Sequence, residues 1–142
     1  MAKLDETTTK WLVDREALRM LPQRYARAVD GRDHAALTAL FDPDGSVDGT
    51  FGLQSVVDYL ETMRTRPDTG GTSMHVLTDP LIDLQPGATT ARMDTYAVVH
   101  QIPAPGSDGE ARMLGMRYVD DLIRRDGTWR IHHRVARMVF MK

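Results

Sequence analysis

The hydrophobic pattern of this chain changes its period part-way along the sequence. Up to about residue 66 the apolar residues recur at helical spacing, and beyond the loop 66–71 they alternate as in extended strands. Turn segments rich in proline, glycine and aspartate divide the second part into four runs: 73–84, 89–102, 111–124 and 128–140. Helices grouped before strands that follow one another through short turns predict an α+β domain with an antiparallel meander.

The first part predicts three helices and one short strand. A polar, threonine-rich segment, residues 1–10, is expected to be a flexible N-terminal arm, and residues 11–142 a single domain. Asp14 is suited to cap the first helix, and Pro22 is expected to kink it. The helices are expected at 14–30, 33–41 and 53–66, with a turn at 42–45 and a brief strand at 46–48.

Composition excludes several classes of function. The 142 residues contain no cysteine, which excludes disulfides, thiolate metal sites and a cysteine nucleophile. A formal charge of −2 gives no electrostatic attraction to nucleic acid. The N-terminal residues lack the apolar run of a signal peptide and no segment is long enough to span a membrane, so we expect a soluble cytoplasmic protein.

Tyr25, Asp30 and His75 are the candidate catalytic residues. A phenol, a carboxylate and an imidazole are the groups that proton transfer without a cofactor requires. His75 lies in an apolar run, so it could equally be a core histidine bonded to a backbone carbonyl. On an ideal helical wheel Asp30 lies nearly opposite the apolar face that includes Tyr25, which makes it a solvated residue. The residues alone leave the role of His75 open and favour a solvated Asp30.

The histidines do not have the spacing of a metal site. His132 and His133 are adjacent in a predicted strand and therefore point to opposite faces, and His34, His75 and His100 show no ligand spacing. No glycine-rich nucleotide-binding motif and no G-x-S-x-G nucleophile motif is present. We therefore expect neither a metal nor any other cofactor.

Three segments, 14–33, 73–79 and 115–131, carry a resemblance to a known family. With the order of elements between them, the chain resembles the SnoaL-like branch of the nuclear-transport-factor-2-like superfamily from about residue 12 onward. The resemblance implies a cone-shaped, curved antiparallel sheet wrapped around the long first helix, with an internal apolar pocket. It is weaker as an indication of function, because the superfamily includes many kinds of enzyme and proteins without catalysis.

The resemblance assigns expected roles to individual residues. Scytalone dehydratase, bile acid 7α-dehydratase and hexachlorocyclohexane dehydrochlorinase share an Asp–His pair, which by motif falls on Asp30 and His75 and implies that Asp30 faces the pocket. The tyrosine of the bile acid enzyme falls on Tyr25, and an arginine of the dehydrochlorinase falls on Arg134. The expected lining of the pocket is completed by four residues: His100, Tyr118, Met116 and Tyr96.

The resemblance implies a cofactor-independent lyase or isomerase acting on a small apolar, aromatic or polycyclic substrate. His75 would be the base, Asp30 would fix its tautomer, and Tyr25 with Arg134 would stabilise developing negative charge. The alternative is a non-catalytic ligand-binding or assembly domain of the same fold.

Many relatives carry asparagine where this chain has Asp79, which would alter the charge of the pocket if Asp79 faced it. Relatives commonly pair through the outer face of the sheet, so a homo-oligomer, a dimer or a trimer, is expected.

Overall fold

The computed structural model describes residues 2–142, which form an α+β cone with a curved sheet against three helices. The helices are α1 (Glu6–Asp30), α2 (His34–Ala39) and α3 (Val56–Thr65). The strands are β1 (Phe41–Gly49), β2 (Gly52–Ser55), β3 (Thr72–Leu77), β4 (Leu81–Asp83), β5 (Thr90–Ile102), β6 (Arg112–Arg125) and β7 (Thr128–Met141). The predicted fold class is confirmed, and all three helices precede strands β3 to β7.

Helix α1 begins earlier than the sequence pattern predicts. Asp5 caps it, accepting a hydrogen bond from the backbone N–H of Thr8 at 2.6 Å, so residues 6–10 of the predicted arm belong to the helix. Asp14, the predicted cap, lies inside the helix. Its carboxylate accepts a hydrogen bond from the indole N–H of Trp129 at 3.0 Å and so joins the helix to β7.

The sheet is mixed and not purely antiparallel. Its strand order is β2-β1-β7-β6-β5-β3, with β4 also on β5, and β1 runs parallel to β7. The register of β1 shifts between Phe41 and Ser46, so the predicted turn at 42–45 is an irregular stretch within the strand. Gly45 is required there, because an added Cβ would lie 2.0 Å from the carbonyl oxygen of His132.

The core lies between α1 and the inner face of the sheet. Leu18 on α1, Phe41 on β1 and Ile131 on β7 are all buried there, with Leu122 from β6. Burial of a large apolar side chain contributes about 1.5–3 kcal/mol, so this layer holds the C-terminal end of α1 against the sheet. Strand β3 lies at one edge of the sheet, and its inner face meets α1.

Candidate functional site

The central feature is a hydrogen bond between Asp30 and His75. Asp30 is the last residue of α1, and its Oδ1 lies 2.7 Å from Nδ1 of His75 on β3. The imidazole side chain is only 7% exposed and the carboxylate 22% exposed. The helical-wheel interpretation of Asp30 as a solvated residue is therefore wrong, because the edge strand approaches the end of α1.

The carboxylate of Asp30 is held by two further donors from β3. The Ser73 hydroxyl donates to Oδ1 at 2.7 Å, and the backbone N–H of His75 donates to Oδ2 at 2.8 Å. This N–H is available because β3 is an edge strand, which pairs only with β5. Ser73 and His75 point to the same face because they are two positions apart in a strand.

Tyr25 links the Asp–His pair to two other tyrosines. Its ring lies edge-on to that of His75, with centroids 6.0 Å apart, and its hydroxyl is 3.2 Å from that of Tyr59 on α3. The ring of Tyr118 lies 5.7 Å from Tyr25. Burial raises the pKa of Tyr59 well above its usual value, and burial likewise raises the pKa of Tyr118. Both side chains are therefore neutral hydroxyl groups at pH 7.

Arg134 lies beneath these rings with its charge fully buried. Its guanidinium carbon is 4.2 Å from the ring centroid of Tyr25 and 4.6 Å from that of Tyr118. Two hydrogen bonds, 2.7 and 2.8 Å long, join it to Asp120, which is itself fully buried. Burial acts to lower the pKa of Arg134, but the Asp120 carboxylate outweighs it and the pKa is raised. The Nη1 of Arg134 has no hydrogen-bond partner among residues 2–142, so it can still donate.

The four predicted pocket-lining residues divide between the two faces of the sheet. Tyr118 packs among the rings just described, and Met116 is buried opposite Ala97. Tyr96 is 51% exposed on the outer face, beneath the guanidinium of Arg117. His100 shares the outer face with Tyr96 because the two are four residues apart in β5. Against expectation, Tyr96 and His100 therefore do not face the Asp–His pair.

Two grooves lie away from the Asp–His pair. One of about 210 Å³ is an apolar depression on the outer face, lined by residues that include Val76, Tyr96 and Phe140. The other, of about 410 Å³, is more polar and lined by residues that include Asp121 and His132. Asp79, the departure from the relatives' pattern, is 85% exposed and 3.6 Å from Arg19, so it adds no buried charge to the site.

A second Asp–His pair lies beside the polar groove. Nδ1 of His132 is 2.8 Å from Oδ2 of Asp42, which is buried at the start of β1. Arg125 approaches the same carboxylate at 3.4 Å. Within residues 2–142 the structure brings together no group of three or more His, Cys, Asp or Glu side chains suited to a metal ion.

The sequence profile of the SnoaL-like domain matches residues 11–135, most of the chain. The chain belongs to the SnoaL-like family. No curated protein matches it in sequence. No helix within residues 2–142 is both long and apolar enough to cross a membrane.

Solved structures share the fold of this SnoaL-like protein at low sequence identity. A type 2 hexachlorocyclohexane dehydrochlorinase superposes with a TM-score of 0.82 at 16% identity, covering 95% of this chain and 91% of that chain. The type 3 enzyme from Novosphingobium barchaimii gives 0.81 at 16% identity, with coverages of 95% and 92%. A putative scytalone dehydratase from Novosphingobium aromaticivorans gives 0.77 at 22% identity, with coverages of 95% and 90%.

Sequence reasoning missed three residues that bind the candidate residues: Ser73 binds Asp30, Tyr59 binds Tyr25 and Asp120 binds Arg134. Ser73 could have been found, because it lies two positions before His75 and so shares its strand face. Tyr59 falls on the apolar side of α3, where an aromatic residue is most simply part of the core. Asp120 gives no local signal, since its partner Arg134 is brought opposite it only by the pairing of β6 with β7.

Proposed function

We propose that this SnoaL-like protein is a cofactor-independent lyase or isomerase that removes a proton from a small substrate with His75. The observation that carries the proposal is the 2.7 Å contact between Asp30 and a nearly buried His75. A carboxylate that accepts the Nδ1 proton fixes the tautomer and leaves the lone pair of Nε2 as the base. The fold and the dehydratase and dehydrochlorinase neighbours support this class of reaction.

The proposed reaction begins when Nε2 of His75 takes a proton from a carbon beside a carbonyl or a leaving group. In elimination, the C–H electron pair forms a double bond and the leaving group departs as hydroxide or halide with its own bonding pair. In isomerisation, the C–H pair forms a carbon–carbon double bond while the carbonyl π pair moves to oxygen. The oxygen pair then restores the carbonyl as the far carbon of the substrate's original double bond takes the proton back from the imidazolium. General-base assistance of this kind contributes on the order of a hundred- to ten-thousand-fold in rate.

Negative charge that develops on the substrate would be stabilised by Tyr25, Tyr59 and Arg134. Within the pair of tyrosine hydroxyls, 3.2 Å apart, one donates to the other and the acceptor keeps a free O–H. The unpartnered Nη1 of Arg134 adds a charged donor in the same buried region. Donors fixed in a site of low dielectric stabilise charge more than they would in water.

The surroundings of the pair favour a small apolar or aromatic substrate. The ring of Tyr25 lies edge-on to the imidazole, and Tyr59 and Tyr118 pack against Tyr25; all three tyrosines are less than 10% exposed. Edge-to-face contacts with such rings favour a flat or cyclic apolar body. Cyclic β-hydroxy ketones and halogenated cyclohexanes are therefore the first compounds to test.

The test is turnover of such a panel in deuterated buffer, followed by mass spectrometry. Loss of water or halide reports elimination, and deuterium uptake reports reversible proton removal. We expect His75→Ala to abolish both signals, with His132→Ala as the matched control because it alters the other Asp–His pair. Turnover by His75→Ala at the rate of the unmodified protein would contradict the proposal.

A non-catalytic assembly domain is the alternative, favoured by the apolar outer face. Met74, Val76, Tyr96 and Phe140 are all more than 40% exposed on strands of that face. Exposed apolar patches of this kind are typical of contacts between subunits. We therefore propose a homo-oligomer, a dimer or a trimer, with light scattering as its test. Val76→Asp should shift the mass to that of the monomer, and a monomeric unmodified protein would contradict this proposal.

A further inference from the structure

We propose that Ser73 is a positioning residue that fixes the Asp30 carboxylate and sets how strongly it binds His75. The expected effect of Ser73 on turnover rests on the proposed function, whereas its effect on the Asp30–His75 hydrogen bond does not. Its basis is that Oδ1 of Asp30 accepts two hydrogen bonds of 2.7 Å, one from the Ser73 hydroxyl and one from Nδ1 of His75.

The place of Asp30 in the fold explains why the carboxylate needs extra donors. It is the last residue of α1, and the negative end of a helix dipole disfavours a carboxylate there. The edge strand β3 supplies three donors: the Ser73 hydroxyl, the His75 backbone N–H and the His75 ring N–H. Because two bind Oδ1 and the third binds Oδ2, together they fix the plane of the carboxylate as well as its position.

The shared oxygen gives Ser73 a role that the backbone donor cannot have. A hydroxyl that donates to Oδ1 draws electron density from the atom that holds the imidazole proton. This weakens the pull of Asp30 on the Nδ1 proton while the bond still fixes the tautomer. The bond to Asp30 then keeps the imidazole proton on Nδ1 and leaves the lone pair of Nε2 for the proposed reaction.

The alternative is that Ser73 serves only to attach β3 to α1. That role predicts a change in stability when the hydroxyl is removed and no change in the Asp30–His75 bond. The two roles therefore differ in one observable, the chemical shift and solvent exchange of the proton on Nδ1 of His75.

The experiment records that proton by NMR in the full chain and in three variants. In Ser73→Ala we expect the resonance to move downfield, because Oδ1 loses its competing donor and binds the imidazole proton more tightly. Ser73→Thr keeps a hydroxyl on a strand-forming residue and should restore the original position. Ser46→Ala is the matched control, since the Ser46 hydroxyl lies 2.6 Å from Nδ1 of a different histidine, His133.

A Ser73→Ala resonance at the unmodified position, with unmodified exchange, overturns the proposal even if urea unfolding shows a loss of stability. A shift that Ser46→Ala reproduces also overturns it. Where a substrate from the panel is turned over, Ser73→Ala should lower kcat roughly tenfold with little change in KM. If the resonance shifts but no variant turns over any compound, the proposed function is contradicted and the role of Ser73 stands. If the protein turns over a compound but the resonance does not shift, the role of Ser73 is contradicted and the proposed function stands.

Discussion

Two histidines of this chain hold an aspartate through Nδ1, and their surroundings are opposite. The His75–Asp30 contact is 2.7 Å long and the His132–Asp42 contact 2.8 Å. In the first pair the imidazole is 7% exposed and the carboxylate 22% exposed. In the second the carboxylate is 2% exposed and the imidazole 41% exposed. The two hydrogen bonds are therefore alike, but the more buried partner is the histidine in the first pair and the aspartate in the second.

The difference indicates that a His–Asp bond does not by itself define a site. Burial acts to raise the pKa of Asp42, but the bonds from His132 and the Asp44 backbone, with the charge of Arg125, lower it overall. That carboxylate is satisfied by groups that join the start of β1 to β6 and β7, which is a structural role. The His75 imidazole instead meets the ring of Tyr25, and that ring lies over the guanidinium of Arg134, which has an unused donor.

The largest expected effect separates the two histidines by activity. His75→Ala should lower turnover roughly a hundred- to ten-thousand-fold, because it removes the base. His132→Ala should leave turnover within about twofold, since its removal deletes no group of the proposed site. Steady-state rates on the panel of cyclic compounds measure both. Equal losses in the two variants would remove the functional distinction between the pairs.

The next effect separates the two aspartates by stability. Asp42→Asn should lower the free energy of unfolding by about 2 kcal/mol, because a nearly fully buried carboxylate loses its charged bonds. Asp30→Asn should cost less stability, since Asp30 is partly exposed, yet lose most of the activity. Urea unfolding of both variants, with turnover rates measured in parallel, tests whether Asp42→Asn loses more stability and Asp30→Asn loses more activity. It would be contradicted if Asp30→Asn were the less stable protein.

A smaller effect concerns the unpaired polar atoms on the inner side of the sheet. The hydroxyl of Thr95 is buried without a partner among residues 2–142, and it lies on the strand next to Tyr118. Thr95→Val should raise the free energy of unfolding by about 1 kcal/mol, because an unsatisfied hydroxyl is removed. Thr78→Val is the control, since the Thr78 hydroxyl is bonded to the backbone of Tyr96 and its loss should not stabilise the protein. A destabilised Thr95→Val would indicate that the hydroxyl is satisfied.

The smallest effect is a dependence of stability on pH in acid. The pKa of Asp42 is lowered in the folded chain from an ordinary value of 3.8, so its contribution is complete above pH 3.8. That contribution is lost as the pH falls through the lowered pKa. The difference in unfolding free energy between the unmodified protein and Asp42→Asn should therefore shrink below about pH 4. A difference that stays constant down to pH 2 would contradict this assignment.

The sequence by itself predicted much of the fold because periodicity is a local property. The change from helical to alternating spacing located three helices and the long strands β5, β6 and β7. The predictions from the sequence were wrong where a residue distant in sequence determines the local structure. The sequence pattern predicts a turn at residues 42–45. In the structure these residues run along β7 instead, because Asp42 binds His132 and Gly45 lets the backbone of β1 approach that of β7. Asp14 has the sequence features of a cap and instead binds Trp129 across the core.

For the candidate site, the sequence supplied the residue types and the tertiary structure decided which of them meet. Resemblance pointed to Tyr25, Asp30, His75 and Arg134, while the helical wheel placed Asp30 in solvent. The contact of Asp30 with His75 depends on where the edge strand passes the end of α1, 45 residues away in sequence. The alternation of β5 placed Tyr96 and His100 outside, and the pairing of β6 with β7 gave Arg134 its carboxylate partner. These outcomes follow from strand register and burial, which spacing along one segment cannot specify.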